Sequence, residues 1–159
     1  MIAFDAYNAP RIIYGEGVSK KVSDLLTSLG VKTVMAVYDE GIKKVAVVGG
    51  GVGCAIAYPQ AKLLHSMGVS VDLIAGFRNK DIVILEDEMR AVCDNLIITT
   101  DDGSYAKKGF VTNALQEQID AGVNYDLVVA IGPIPMMKFV CKVTEPHGIK
   151  TIVSLNPIM

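Results

Sequence analysis

From Val45 onward the chain repeats one rhythm: a short run of β-branched and other apolar residues, then a longer amphipathic stretch. VAVVG (45–49), VSVDLIAGF (69–77), NLIITT (95–100), DLVVAIG (126–132) and KTIVSL (150–155) read as strands. IAYPQAKLLHSMG (56–68), DIVILEDEMRAVC (81–93), TNALQEQIDAG (112–122) and PMMKFVCKVTEPHG (135–148) read as the helices between them. Strands that are apolar throughout are buried on both faces, which is the condition of a parallel sheet with helical crossovers. Right-handed crossovers make the expected fold a three-layer, doubly wound, mostly parallel α/β sheet.

The first 44 residues break this rhythm. RIIYGEG (11–17) reads as a strand and turn, VSKKVSDLLTSLG (18–30) as a helix, and VKTVMAVYD (31–39) as a strand. Only EGIKK then precedes the strand at Val45, too little for a helical crossover, which needs about a dozen residues. The expected organisation is a strand–helix–strand segment at 1–43 added to a domain at 44–159, the two forming one compact unit. At a sheet edge, the strand at 31–39 would allow pairing with a second copy, giving a homo-oligomer.

Composition excludes several classes. Of 159 residues, 51% are hydrophobic and 20% charged, with a net charge of −2, so the chain is expected to be globular and to have no broad basic face for nucleic acid or anionic lipid. No apolar run reaches the roughly 18 residues that span a bilayer. The opening MIAFDAYNAPR lacks a basic start and an apolar stretch, so a cytoplasmic protein is expected. Cys54, Cys93 and Cys141 are widely spaced, and no Cys-x-x-Cys occurs. They read as reduced core thiols, with no metal site or iron–sulfur cluster made by this chain. His65 and His147 have no nucleophile in view, Glu86–Met89 is a solvated helix face, and Ser104 lacks a Gly-x-Ser-x-Gly context. No catalytic side chain is assigned.

Residues 45–62, VAVVGGGVGCAIAYPQAK, hold the main chemical question. A phosphate loop needs glycines so that the backbone turns sharply from strand to helix and a pyrophosphate approaches without a Cβ in the way. Gly49, Gly50, Gly51 and Gly53 supply this, although Cys54 stands where a strict Gly-x-Gly-x-x-Gly would have its third glycine. A tight strand-to-helix turn is the other reading. The next strand ends in GFRNKD, where Asp72 lies too early to hold a ribose. Arg78 and Lys80 suit a phosphate, favouring NADP over NAD, or form a solvated basic loop. In TTDDGSY (99–105), Thr99, Thr100 and Ser104 offer hydroxyls to ribose or phosphate, or make an ordinary turn. Gly132 and two prolines in GPIPMM build a rigid turn able to offer backbone groups to a nicotinamide amide, or a plain strand-to-helix turn.

Taken in order, GGGVG, GFRNKDIVILEDEM, TTDDGSYAKKGFVT, AIGPIPMMKFVC and TIVSLNPIM resemble the pyridine-nucleotide domain of the ferredoxin–NADP reductase superfamily. The nearest branch is that of dihydroorotate dehydrogenase electron-transfer subunits, sulfide dehydrogenase and NADP-dependent ferredoxin oxidoreductase subunits. The resemblance covers 44–159. It implies a domain that binds NADP or NAD and passes hydride to FAD, from which electrons move to an iron–sulfur cluster. It places Gly50, Gly51 and Gly53 under the pyrophosphate and Arg78 and Asp81 near the adenosine. It places Thr100, Asp102 and Ser104 by the ribose, and Gly132, Pro133 and Met136 against the nicotinamide.

Three departures qualify the expected activity. The flavin-binding barrel of the family would precede Val45, and no Arg-x-Tyr-Ser/Thr motif stands there. A cysteine-rich cluster segment would follow NPIM. Ile131 occupies the place before Gly-Pro where many relatives carry Cys. FAD would therefore come from a flavin or iron–sulfur partner subunit, or bind in another way. The chain is expected to be an oxidoreductase module that is not active alone; the alternative is an inactive hybrid on an α/β scaffold. A flavodoxin-like FMN protein is disfavoured because the loop is Gly, Val and Cys rather than Ser and Thr. APRIIYGEGVSKKVSDLLTSLGVKTVMAVYDEGI resembles the start of iron-dependent alcohol dehydrogenases, which makes the chain look chimeric, although no iron site is implied here.

Overall fold

The computed structural model describes residues 41–154. The chain divides into two compact units with the boundary between Tyr38 and Asp39, and every described residue falls in the second. The elements expected over 11–39, including the edge strand read as an oligomer contact, lie outside the described residues.

Six parallel strands form one sheet in the order β4-β3-β2-β1-β5-β6. They are β1 (Lys44–Gly50), β2 (Ser70–Phe77), β3 (Asn95–Thr100), β4 (Lys107–Lys108), β5 (Leu127–Ile131) and β6 (Lys150–Ser154). The central strand shows why the sequence adopts this form. Val45 to Val48 are all fully buried, with Val45 and Val47 in one apolar cluster and Ala46 and Val48 in another. A strand turns alternate side chains to opposite faces, so four consecutive apolar residues require a helix layer on each side.

Those layers are present. Helix α1 (Gly53–Ser66) covers one face through Cys54, Ala57 and Ala61, joined by Met89 of the short α2 (Glu86–Arg90). On the other face, α3 (Val111–Asp120) contributes Val111, Ala114 and Leu115, and α4 (Ile134–Thr144) contributes Met137 and Val140. The expected three-layer doubly wound fold is the fold observed.

Boundaries differ in two places. The helix expected over 81–93 is only a 3₁₀ turn, Lys80–Ile82, and the single-turn α2. Leu85 between them sits in the left-handed region with φ of +57°, and the Asn79 side chain accepts from Asp81 N to cap the 3₁₀ turn. The apolar run in IVIL therefore does not continue as a helix, and Ile82 and Ile84 are exposed. The helix expected over 135–148 begins at Ile134 and yields to a 3₁₀ turn, Glu145–His147, ended by Gly148 at φ of +65°. The two-residue β4 has no counterpart in the sequence reading.

Asp72 does lie along a sheet face, as expected, and it is buried far from the loops that follow the strands. Lys44 Nζ pairs with its carboxylate, and Tyr125 donates its phenolic O–H at 2.7 Å. Burial first, and the carboxylate second, push the Tyr125 phenol well above its ordinary pKa. Among the described residues, no helix is long and apolar enough to cross a membrane.

Candidate functional site

The strand order reverses at β1: successive connections run outward through β2 to β4, then return to β5 on the other side. In open parallel sheets a crevice forms at such a point, beyond the carboxyl ends of the strands. Here it is a cleft of about 1320 Å³, walled by the loops after β1, β2, β3 and β5 and by the first turns of α3 and α4.

The glycines of the β1–α1 loop serve different ends. Gly49 lies off the cleft; a Cβ there would fall 2.9 Å from Cys54 Sγ and 3.2 Å from Ala57 Cβ, so this glycine lets α1 pack on the sheet. A Cβ on Gly50 would meet Met136 Sδ, and one on Gly53 would press on the Ile131 carbonyl and lie 3.0 Å from Gly132 Cα. These two glycines let the β1–α1 loop seat against the β5–α4 turn. Gly51 alone has both a left-handed φ of +55° and open space where a Cβ would be, and its N–H donates to Gly76 O at 2.8 Å. The loop is at once a packed joint and an open backbone surface.

Of the residues expected at a site, Gly50, Gly51, Gly53, Arg78, Gly132, Pro133 and Met136 line the cleft together. Gly49, Asp81, Thr100, Asp102 and Ser104 do not. Thr100 is buried, donating to Tyr105 O at 2.6 Å and accepting from Tyr105 N at 3.2 Å, so it holds the loop after β3. Asp102 accepts from both the hydroxyl and the N–H of Ser104, which hold its carboxyl below the usual range. Ser104 Oγ in turn accepts from Lys80 N at 2.8 Å. These side chains tie the β2 and β3 loops to each other.

Sequence reasoning passed over several walls of the cleft. Asp101 stands in it with Arg78, and these are its two charged side chains. Val52, Phe110, Ile134 and Phe139 line it while remaining more than half exposed. Thr112 and Asn113 enter from the first turn of α3. Thr99, which the sequence already offered as a hydroxyl for ribose or phosphate, lines it as well, at 1% exposure, and its Oγ1 is the one buried side-chain polar atom among the described residues without a partner. The signal available was position: most of them lie at or just beyond the carboxyl end of a strand.

The electrostatics are set by backbone. Helices α1, α3 and α4 all point their N-termini into the cleft, none has a side-chain cap, and none carries an acidic residue in its first turn. The short α2, by contrast, opens with Glu86, Asp87 and Glu88. Uncapped N-termini present free N–H groups and a partial positive charge, the chemistry of anion binding. Cys54, just behind the loop, is not a reactive partner: burial pushes its thiol up to about 12. Among the described residues no group of three or more His, Cys, Asp or Glu could hold a metal ion.

No protein-family model matches the chain. An uncharacterized protein in the adh 3′ region of Clostridium beijerinckii is 46% identical over 142 residues, which cover 87% of this chain and 48% of that protein. A Thermotoga maritima homolog of the dihydroorotate dehydrogenase B (NAD(+)) electron transfer subunit is 42% identical over 120 residues, covering 76% and 42% respectively. The solved NADH-dependent reduced ferredoxin-NADP oxidoreductase, described in terms of flavin-based electron bifurcation, superposes with a TM-score of 0.65 at 39% identity, covering 77% of this chain and 45% of that one. The domain is ferredoxin reductase-like. The resemblance read from the sequence to the electron-transfer branch of that superfamily therefore holds. The chain spans less than half the length of the curated relatives it matches. The stretch likened to iron-dependent alcohol dehydrogenases lies outside the described residues.

Proposed function

We propose that the domain binds a nicotinamide dinucleotide and presents its nicotinamide to a flavin held by another domain or chain. The observation that carries this is the joint at the switch point, where the glycine loop, the β5–α4 turn and three uncapped helix N-termini line one cleft. When bound, the nucleotide supplies a hydride; the chain's own groups bind and orient it.

Gly51 leaves the pyrophosphate a bare approach with no Cβ in the way, and the start of α1 at Val52 and Gly53 offers N–H groups to it. Gly132 and Pro133 offer a rigid backbone beside Met136 at the nicotinamide end. Arg78 and Asp101 flank the adenosine end. A carboxylate there accepts from a ribose diol and repels a 2′-phosphate, so the pair favours NADH despite the guanidinium. The exposed apolar rim formed by Val52, Phe110, Ile134 and Phe139 is the kind of surface that a flavin-bearing partner covers. The segment 1–43 is proposed as an addition to this domain, in keeping with the boundary at Tyr38.

The test is calorimetric titration of the full chain with NADH, NADPH and their oxidised forms, preceded by an absorption spectrum. Micromolar binding without a flavin band supports a nucleotide module that relies on a partner. A flavin band bleached by NADH places the flavin in this chain. No heat with any of the four nucleotides refutes the proposal.

A further inference from the structure

Gly76, near the end of β2, touches two helix N-termini at once. Its carbonyl accepts from Gly51 N in the loop that opens α1. On its other side, a Cβ would lie 2.5 Å from Val111 Cγ1, the first residue of α3, and 3.3 Å from Thr99 Oγ1. Register places Gly50, Gly76 and Thr99 side by side across β1, β2 and β3. All three belong to the sheet face covered by α3 and α4, since Val48 and Ile74, two residues earlier, lie in that cluster.

The α3 end of this row holds a buried hydroxyl without a partner beside an uncapped helix N-terminus. Thr99 is almost wholly buried, lines the cleft, and its hydroxyl has no partner among the described residues. Above it, the ten-residue α3 starts at Phe110 with no side-chain cap and no acid in its first turn, and Thr112 lines the same cleft. Buried hydroxyls in folded proteins find partners, and an orphan beside an uncapped helix N-terminus marks a place where an acceptor-rich group completes the bonding.

We infer that the nucleotide's pyrophosphate is held between two helix N-termini rather than one: the glycine loop of α1 takes one side, and the first turn of α3 with the Thr99 hydroxyl takes the other. This rests on the nucleotide reading above and adds to it a residue set that no glycine pattern marks. Thr99 is a binding residue here, donating its O–H to phosphate oxygen, and Gly76 is the bare floor that lets both termini converge.

The experiment titrates the full-length protein with NADH, ADP and adenosine, for the wild type and for Thr99→Val, Thr99→Ser and Thr112→Glu. Thr99→Val is expected to weaken NADH and ADP about tenfold, the scale of one lost hydrogen bond to a charged group, and to leave adenosine unchanged. Thr99→Ser keeps the hydroxyl and the affinity. Thr112→Glu strengthens the helix through its dipole but repels the anion, so NADH and ADP affinity falls while the melting temperature does not. The melting temperature of free Thr99→Val is expected to equal or exceed that of the wild type, which separates lost binding from lost folding. Wild-type binding of NADH with unchanged affinity in Thr99→Val and Thr112→Glu overturns this inference alone. Equal losses for ADP and adenosine overturn it too. A wild type that binds no nucleotide overturns both this and the reading beneath it.

Discussion

Replacing Gly53 by alanine tests whether the glycine loop is a joint. The added Cβ would lie 2.9 Å from the Ile131 carbonyl carbon and 3.0 Å from Gly132 Cα, and nearer still to the Ile131 oxygen. All three are backbone atoms, so no side chain can swing aside. Ordinary contact begins at 3.4 Å, so α1 and the end of β5 must separate by about 1 Å to clear the Ile131 oxygen. Overpacking of this kind costs about 1–3 kcal/mol, and for a chain of this size each kcal/mol lowers Tm by roughly 3 °C. The expected fall is therefore about 3–9 °C by calorimetry. The same shift moves the α1 N-terminus relative to the β5–α4 turn, so NADH affinity should fall as well if the proposed function holds. Gly51→Ala is the control: nothing stands within 4 Å of its Cβ, and the cost is only the left-handed φ of +55°, about 1 kcal/mol. If Gly53→Ala melts with or above the wild type and binds NADH equally well, the joint is not where the geometry puts it.

Three further outcomes are expected. Asp101→Asn removes the carboxylate that opposes a 2′-phosphate and should shift preference toward NADPH about tenfold, an effect that shrinks with added salt; an unchanged NADH/NADPH ratio would count against Asp101 at the adenosine end. Tyr125→Phe strips one hydrogen bond from the buried Asp72 carboxylate and should cost about 2 kcal/mol in denaturant melts, with nucleotide affinity untouched because this network is remote from the cleft. Asp94, Asp102 and Asp126 are all held below the ordinary carboxyl pKa, by the Val71 N–H, by Ser104, and by the Lys44 and Lys43 N–H groups respectively. Depressed carboxyls contribute stability above their unfolded pKa and lose it as pH falls through the folded one. Tm should therefore hold down to about pH 5 and decline below about pH 4, and a rise in that range would contradict the assigned bonds.

Much of the domain was legible because its determinants are local. Val45–Val48 are apolar without alternation, and only a strand covered on both faces accommodates that. Gly51, Gly132 and Pro133 announce turns by their own backbone limits. The 81–93 stretch misled because its apolar spacing suits a helix, while the left-handed Leu85 and the Asn79 cap break it for reasons that lie in its surroundings. Ser104, Asp102 and Thr100 looked like ligand groups by residue type. In the structure these three bond to the loops around them, and Thr99, named with them in the sequence, is the buried hydroxyl without a partner among the described residues.

Periodicity and turn residues act over a few positions, so the layered α/β fold, the strand count of the main sheet apart from β4, and the loops at its carboxyl edge can all be read from the order of the amino acids. What each residue at that edge touches depends on contacts between segments far apart in the chain. Gly53 meets Ile131, Gly76 meets both Gly51 and Val111, and Thr99 is stranded beneath α3 because strands distant in sequence are neighbours in the sheet. A glycine required by a backbone many residues away looks, in a sequence, the same as one required by a phosphate.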